Sequence, residues 1–336
     1  MANINDVANL AKVSTASISR YLENPEKITP ELRKRIKDAI EKLNYSPSII
    51  ARGMRKQNTK FIALVVEDIA SPAYAEIVHG AEQYASENNY NIVIINMKKD
   101  RSKIFDEISS GNAFFGAIFY FQIYTDDEKY LINLVNRNFP FVITHSELLK
   151  NKYLSVSHNN YKAAYDGTEF LIKKGHKKIA IVELNSFIDV VEARKKGFID
   201  ALNDNSINYD PSICFKADLS IEGGFKTGED ILKEINKFSA IFCFSDYVAI
   251  GLLKYLIKNN VKVPDDISLL GFDDIEWTKI TSPALTTVHQ RKRKLGYLSM
   301  DRLITSINKK DDSNLSIILD SFVVERDSIK DINIIK

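Results

Sequence analysis

The chain of 336 residues is short of cysteine and tryptophan, and it has no long apolar run. Its two cysteines, Cys214 and Cys243, lie in apolar strand-like stretches and read as core residues rather than as redox or metal groups. So few thiols, with no secretory signal, suit a reducing cytoplasm. The first residues, Met1 to Asp6, are polar and lack the apolar segment of a leader. No window approaches the roughly eighteen consecutive apolar residues of a membrane span. The five histidines, His79, His145, His158, His176 and His289, are scattered without metal-ligand spacing. There is no phosphate-type glycine loop and no nucleophile placed beside a base by any motif. Catalysis, a resident metal and a cofactor are therefore not expected.

What is present is unevenly distributed. Residues 1–60 carry 12 Lys and Arg against 6 Asp and Glu, whereas residues 61–336 carry 34 against 38. A basic segment joined to a larger acidic one suggests a nucleic-acid reader governed by a second unit. The length also exceeds one typical core.

The basic segment opens with a helix-turn-helix pattern. Asn5 is the expected cap of a first helix with Val7, Ala8, Leu10 and Ala11 facing inward. Val13 and Ser14 form the turn, and Ser14 can cap the second helix. There Ile18 and Leu22, four residues apart, face the core. Thr15, Ala16 and Arg20 then fall on the outer surface where a recognition helix meets base edges, with Ser17 among the candidate contacts. Thr29-Pro30-Glu31 starts a third helix, with Leu32, Ile36, Ile40 and Leu43 as its apolar stripe and Arg33, Lys34 and Lys37 on the other face. Ser46-Pro47 begins a further short helix that contains Gly53 and is marginal alone. It needs DNA or a second copy to hold it, or it is a plain basic linker. Ser48, Arg52, Met54 and Arg55 are its candidate DNA contacts.

From Thr59 the pattern alternates between buried strands and amphipathic helices. Strands are expected at Phe61–Val66, Asn91–Ile95, Gly116–Tyr120 and Phe139–Ile143, and then at Lys178–Val182, Ile213–Phe215, Ala240–Phe244 and Ser268–Phe272. Two such blocks predict two doubly wound parallel sheets with a ligand cleft beyond their carboxyl ends. The fold class is an all-α headpiece plus a two-lobed α/β sensor. The expected boundaries are 1–46 for the headpiece, 47–59 for the hinge and linker, and 60–336 for the sensor. Its first lobe would take about 60–158 and 290–318, and its second about 159–289 and 319–330.

The chain resembles the LacI/GalR family of bacterial transcription regulators along nearly its whole length. The resemblance rests on Asp6-Val7-Ala8, Ser17-Ile18-Ser19-Arg20, Leu43-Asn44-Tyr45, Pro47 and Ala51-Arg52. It continues through Gly175-His176, Arg194 to Phe198, Ser245-Asp246, Val263-Pro264-Asp265, Gly271-Phe272-Asp273-Asp274 and Pro283 to Val288. It implies a fold like that of periplasmic sugar-binding proteins. Thr15 and Ala16 occupy the pair of specificity positions, and Arg20 the position that contacts guanine. Met54 stands for the leucine that levers a base step open, and Ser48 replaces an asparagine.

The same resemblance assigns effector contacts. Arg194 would donate to ligand hydroxyls or a carboxylate. Ser245 stands where the family more often has asparagine, and Asn159 where many members have aspartate. Tyr74 takes the place of an aromatic that meets the ligand. By position alone, Asp273 follows a strand end and is either a hydroxyl acceptor or a turn cap, with Asp274 the better cap. Tyr120, Phe121 and Tyr124 supply either a stacking wall or core. Gln290, at a crossing between lobes, touches ligand or braces the hinge. The expected protein is a cytoplasmic, nucleoid-associated homodimer. It would bind double-stranded operator DNA and repress sugar uptake or catabolism genes under control of a small sugar or sugar phosphate. One alternative is a catabolite regulator whose co-effector is a phosphorylated carrier protein. The other, a transport binding protein, has no use for residues 1–60.

Overall fold

The computed structural model describes residues 3–45, 60–97, 101–109, 113–146, 149, 151–186, 188–309 and 315–333. The expected hinge, with Ser48, Arg52, Met54 and Arg55, lies outside them. Two units result, Met1–Thr59 and Lys60–Lys336. No described helix is long and apolar enough to cross a membrane.

Among its described residues the first unit holds three α-helices: α1 (Ile4–Ala11), α2 (Thr15–Glu23) and α3 (Pro30–Lys42). They close on Val7, Ala8, Ile18 and Ile36. The cap of α1 is Asn3 and not Asn5. The Asn3 side chain accepts from the Asn5 and Asp6 amides, while Asp6 accepts from the Asn3 amide at 2.8 Å. This reciprocal box satisfies donors that the helix itself leaves open. Moving the start back rotates Leu10 outward, where it is 42% exposed.

The second unit contains two six-stranded sheets. The first has the order β11-β5-β4-β3-β1-β2 and is parallel throughout. Its strands are β1 (Phe61–Val66), β2 (Asn91–Asn96), β3 (Gly116–Gln122), β4 (Phe141–His145), β5 (Ser155–His158) and β11 (Ser316–Leu319). The second has the order β12-β10-β9-β8-β6-β7, with only β12 antiparallel. Its strands are β6 (Ile179–Leu184), β7 (Cys214–Ala217), β8 (Ala240–Cys243), β9 (Ser268–Asp273), β10 (Thr286–His289) and β12 (Phe322–Val324). Each order is the same winding, so the unit is one design used twice. In β1, Ile62, Leu64 and Val66 pack on one face of the sheet while Ala63 and Val65 pack on the other. Both faces are covered, which explains a continuous apolar strand.

The helices that follow β1, β2 and β3 are α4 (Pro72–Glu87), α5 (Arg101–Ser109) and α6 (Glu128–Asn136). In the second block come α7 (Asn160–Lys173), α8 (Ile188–Asp204), α9 (Ile221–Lys233) and α10 (Asp246–Lys258). The chain then returns to the first sheet as α11 (Lys292–Lys309), which packs along α4. That pair crosses at two glycines. A Cβ at Gly80 would lie 1.9 Å from the Arg293 carbonyl oxygen, and one at Gly296 would lie 1.9 Å from that of Ile77. Neither neighbour is a flexible side chain, so the helices must separate to admit a methyl group. Gly80→Ala is expected to cost at least the roughly 1–3 kcal/mol typical of overpacking, read as a lower thermal midpoint by circular dichroism.

Candidate functional site

Two sites arise, one in each unit. In the first, Lys12 adopts a left-handed conformation (φ 52°) that ends α1, and the chain turns directly into α2. The Ser14 hydroxyl oxygen accepts from the Ser17 amide at 3.2 Å, and the two hydroxyls lie 3.0 Å apart. Ser17 is thus drawn into the cap. Arg35 braces the turn from α3, donating to the Ala11 and Lys12 carbonyl oxygens at 2.6 and 3.2 Å. Sequence reasoning passed over this residue; its signal was an arginine opposite a helix C-terminus, where carbonyls lack partners. With Ile18 buried, Thr15, Ala16 and Arg20 are exposed on α2. Arg33 is held by Glu26 through two contacts of 3.1 Å, whereas Lys34 remains on the exposed face of α3.

In the second unit a cleft lies at the carboxyl ends of β4 and β5. Thr144, His145, Ser146, Ser157 and His158 come from β4, β5 and the residue after β4; Leu295 comes from α11. Asn160, Val190 and Arg194 come from the second block, and Gln290 from the crossing after β10.

Arg194, in α8, is 6% exposed and is fixed from several sides. It donates to Asn160 Oδ1 at 3.1 Å and to the Phe244 carbonyl oxygen, stacks 3.6 Å from the Phe272 ring centroid, and lies 3.8 Å from Asp273 Oδ1. Ser245 donates to Asp273 Oδ2 at 3.5 Å while capping α10. Asp273 has φ 115°, an unusual conformation for a residue with a side chain. Burial raises its pKa against the pull of Arg194 and Lys292. Behind it, Asp246 is also raised, by burial and then by Asp273; it accepts from Thr287 Oγ1 at 2.6 Å and from the Ile275 amide at 2.9 Å.

Asp274 is bound to His289 at 2.8 Å and Arg326 at 2.6 Å. Burial opposes its ionisation, but these two hydrogen bonds prevail and lower its pKa. It is a structural acid. Lys292, 3% exposed, joins the two lobes: it donates to the Asp273 and Asp274 carbonyl oxygens and pairs with Glu76 of α4 at 3.2 Å.

Gln290 lies in the cleft and donates to Asn160 Oδ1 at 3.4 Å. Asn159 does not line it. Its side-chain oxygen caps α7 by accepting from the Lys162 amide at 3.0 Å, and its neighbour Asn160 is the residue turned into the cleft. Tyr120 is a correction too. Strand β3 runs to Gln122, two residues further than expected, so Tyr120 and Phe121 remain inside the sheet and are buried in its two opposite cores. Tyr124, at the strand's end, is the partly exposed aromatic, with Arg101 5.0 Å above its ring. Tyr74 packs half-buried against the first core and is not among the residues lining the cleft.

Sequence reasoning missed the histidine pair. His145 and His158 end neighbouring strands β4 and β5. Burial lowers the His145 pKa to about 4, assisted by Arg194. It lowers that of His158 to about 3, assisted by His145, Lys292 and Arg194. Both rings are neutral near pH 7. Among the described residues, Ser157 Oγ and His158 Nε2 in the cleft lack hydrogen-bond partners, as do Glu67 Oε2 after β1, Gln122 Oε1 at the end of β3 and Asp189 Oδ2 at the start of α8. Unpaired polar atoms are rare in protein interiors and concentrate where a ligand completes them. The cleft thus suits a small polar ligand.

A histidine whose folded pKa is depressed binds fewer protons folded than unfolded between its two pKa values. Its contribution is therefore complete above about pH 6.5 and declines as pH falls toward 4 and then 3. His158→Gln should flatten the decline in thermal midpoint between pH 6.5 and 4; an unchanged pH slope would contradict a buried neutral imidazole.

Comparison with known proteins accords with both units. Residues 3–48 match the family described as bacterial regulatory proteins, lacI family, and residues 168–329 match the periplasmic binding protein-like domain. The HTH-type transcriptional regulator RegA of Clostridium acetobutylicum is 35% identical over 98% of this chain and 99% of that protein. The fold is similar to that of a Lac repressor dimer bound to operator and an anti-inducer, with TM-score 0.83, 22% identity, and coverage of 98% of this chain and 99% of that one. A CelR–cellobiose complex is similar at TM-score 0.74 and 23% identity, over 98% of this chain and 100% of that one. The chain belongs to the lacI family of bacterial transcription regulators, joining a helix-turn-helix DNA-binding unit to a periplasmic-binding-protein-like ligand domain.

Proposed function

We propose that the chain is a homodimeric repressor of carbohydrate uptake or catabolism genes, with operator affinity set by a small sugar or sugar phosphate between its two sheets. Thr15, Ala16, Ser17 and Arg20 read bases in the major groove of each half-site, with two half-sites in a near-palindromic operator. Residues 47–59 form the hinge, where Ser48, Arg52, Met54 and Arg55 meet the DNA centre. The two lobes divide as about 60–158 with 290–318, and about 159–289 with 319–330.

The observation that carries this reading is the polar cleft at the strand ends, in a chain that also holds an exposed recognition helix. Operator and cellobiose in the two similar regulators support DNA and sugar as partners. Within the cleft, Arg194, Ser245, Asp273 and Gln290 act on the ligand directly or through one another. Ligand binding changes the lobe arrangement and so the hinge pair. A ligand that weakens DNA binding is itself bound more weakly by the DNA complex.

Selection from a random duplex library should yield a symmetric site bound by the full-length protein, with affinity falling steeply as salt rises. Arg20→Ala should cost about 1–3 kcal/mol on that site and relax its sequence preference, measured by fluorescence anisotropy. Arg194→Ala should abolish the ligand-induced change in operator affinity and leave binding of the free protein intact. Absence of any sequence-selective duplex retention, with or without sugars, would refute the reading.

A further inference from the structure

We propose that the cleft selects an uncharged ligand rich in hydrogen-bond donors, an unphosphorylated sugar or sugar alcohol, and that the Nε2 atoms of His145 and His158 accept from its hydroxyls. This rests on the sensor reading above and narrows the ligand it admits.

The hydrogen-bond network assigns each ring's tautomer. The Thr144 hydroxyl donates its one proton to the Phe119 carbonyl oxygen at 3.0 Å. Its 2.7 Å contact with His145 Nδ1 therefore has the imidazole N–H as donor, which leaves Nε2 a lone pair in the neutral ring. His158 is 4% exposed, and its Nε2 has no partner. The Nδ1–H tautomer of this ring presents a second Nε2 lone pair to the ligand. Two acceptors thus end adjacent strands of one wall.

Two further unpaired atoms stand on the same sheet: Ser157 Oγ, in the cleft lining, serves in either sense, and Gln122 Oε1, at the end of β3 beside β4, is an acceptor. Gln122 and Ser157 are 1% and 5% exposed, which leaves water little access to them. A molecule that satisfies this set brings donors, as several adjacent hydroxyls do.

Charge leads to the same conclusion. An anion needs a cation that is not already spent. Arg194 is bound by Asn160, the Phe244 carbonyl oxygen and Asp273. Lys292 is bound by Glu76 and two carbonyl oxygens. Arg101 is paired with Asp127 at 2.7 Å. The nearest acid to Arg194, Asp273, already stands 3.8 Å from it. A phosphate ester would enter a site whose bases are engaged.

The test is a thermal-shift screen of the full-length protein, followed by calorimetry on any hit. The probes are aldopentoses, aldohexoses, disaccharides and pentitols, each beside its phosphate ester or corresponding sugar acid. At least one uncharged compound should raise the thermal midpoint and bind at least tenfold more tightly than its charged counterpart. His158→Leu and His145→Leu should each weaken that binding at least tenfold, while affinity for the uncharged compound should stay flat from pH 6 to 8. A phosphate ester or sugar acid that binds as tightly as its parent, or binds alone, overturns this inference but leaves the sugar-sensor reading standing. A screen with no response in either half overturns both. If the leucine variants fail to fold, the paired screen on the unaltered protein still decides.

Discussion

A guanidinium cannot stay buried without partners, and the second lobe is arranged around that demand at Arg194. Its ring-stacked plane and its hydrogen bonds tie α8 to the start of α7 and to the ends of β8 and β9. Three segments distant in sequence are thereby held at one edge of the sheet. Asp273 takes its unusual backbone conformation at that edge, close to the same cation. This edge of the lobe is therefore pre-organised by its own charges.

The first lobe contributes a different kind of surface. Its wall is made by strand ends that carry Thr, His, Ser, Ser and His in place of apolar residues. Where β4 runs past its expected end, the pairing with β3 is irregular between Phe119 and Gln122. That irregularity leaves the Phe119 carbonyl oxygen to accept from Thr144, which in turn orients His145. A local fault in the ladder thus fixes a proton on a particular nitrogen two strands into the sheet. One side offers a paired cation beside a carboxylate, the other neutral imidazoles.

The apolar strands and their winding were legible from alternation alone, because a strand buried on both faces has no polar position to confuse the pattern. Strand β5 was not legible: Ser155-Val156-Ser157-His158 is polar, and it is a strand because β4 and β11 flank it. Helix α11 and strands β11 and β12 were equally hidden, since each completes a sheet begun far earlier in the chain. The same gap explains the site. Asp273, Ser245 and Gln290 stand at strand or helix junctions, whereas Arg194, expected to open a helix near Glu192, lies in the second turn of α8, which starts at Ile188. His145 and His158 lie thirteen positions apart and become neighbours only through the pairing of β4 with β5. Asn159 and Asn160 illustrate the limit of resolution: adjacent identical residues, of which one caps a helix and the other faces the cleft, a choice set by backbone angles. Tyr120 was misplaced by the length of one strand.

The path of the chain between the sheets has a topological consequence. It passes from β5 into α7, from β10 into α11, and from β11 into β12. The sheet that begins the unit is thus completed by residues near its end, and the edge strand of the later sheet comes last of all. Neither lobe corresponds to an uninterrupted stretch of gene. A single proteolytic nick cannot release one from the other, and recombination at one breakpoint cannot exchange a lobe between relatives. Change in such a protein has to proceed by replacing individual side chains at the strand ends, or by exchanging the reader and the sensor as wholes.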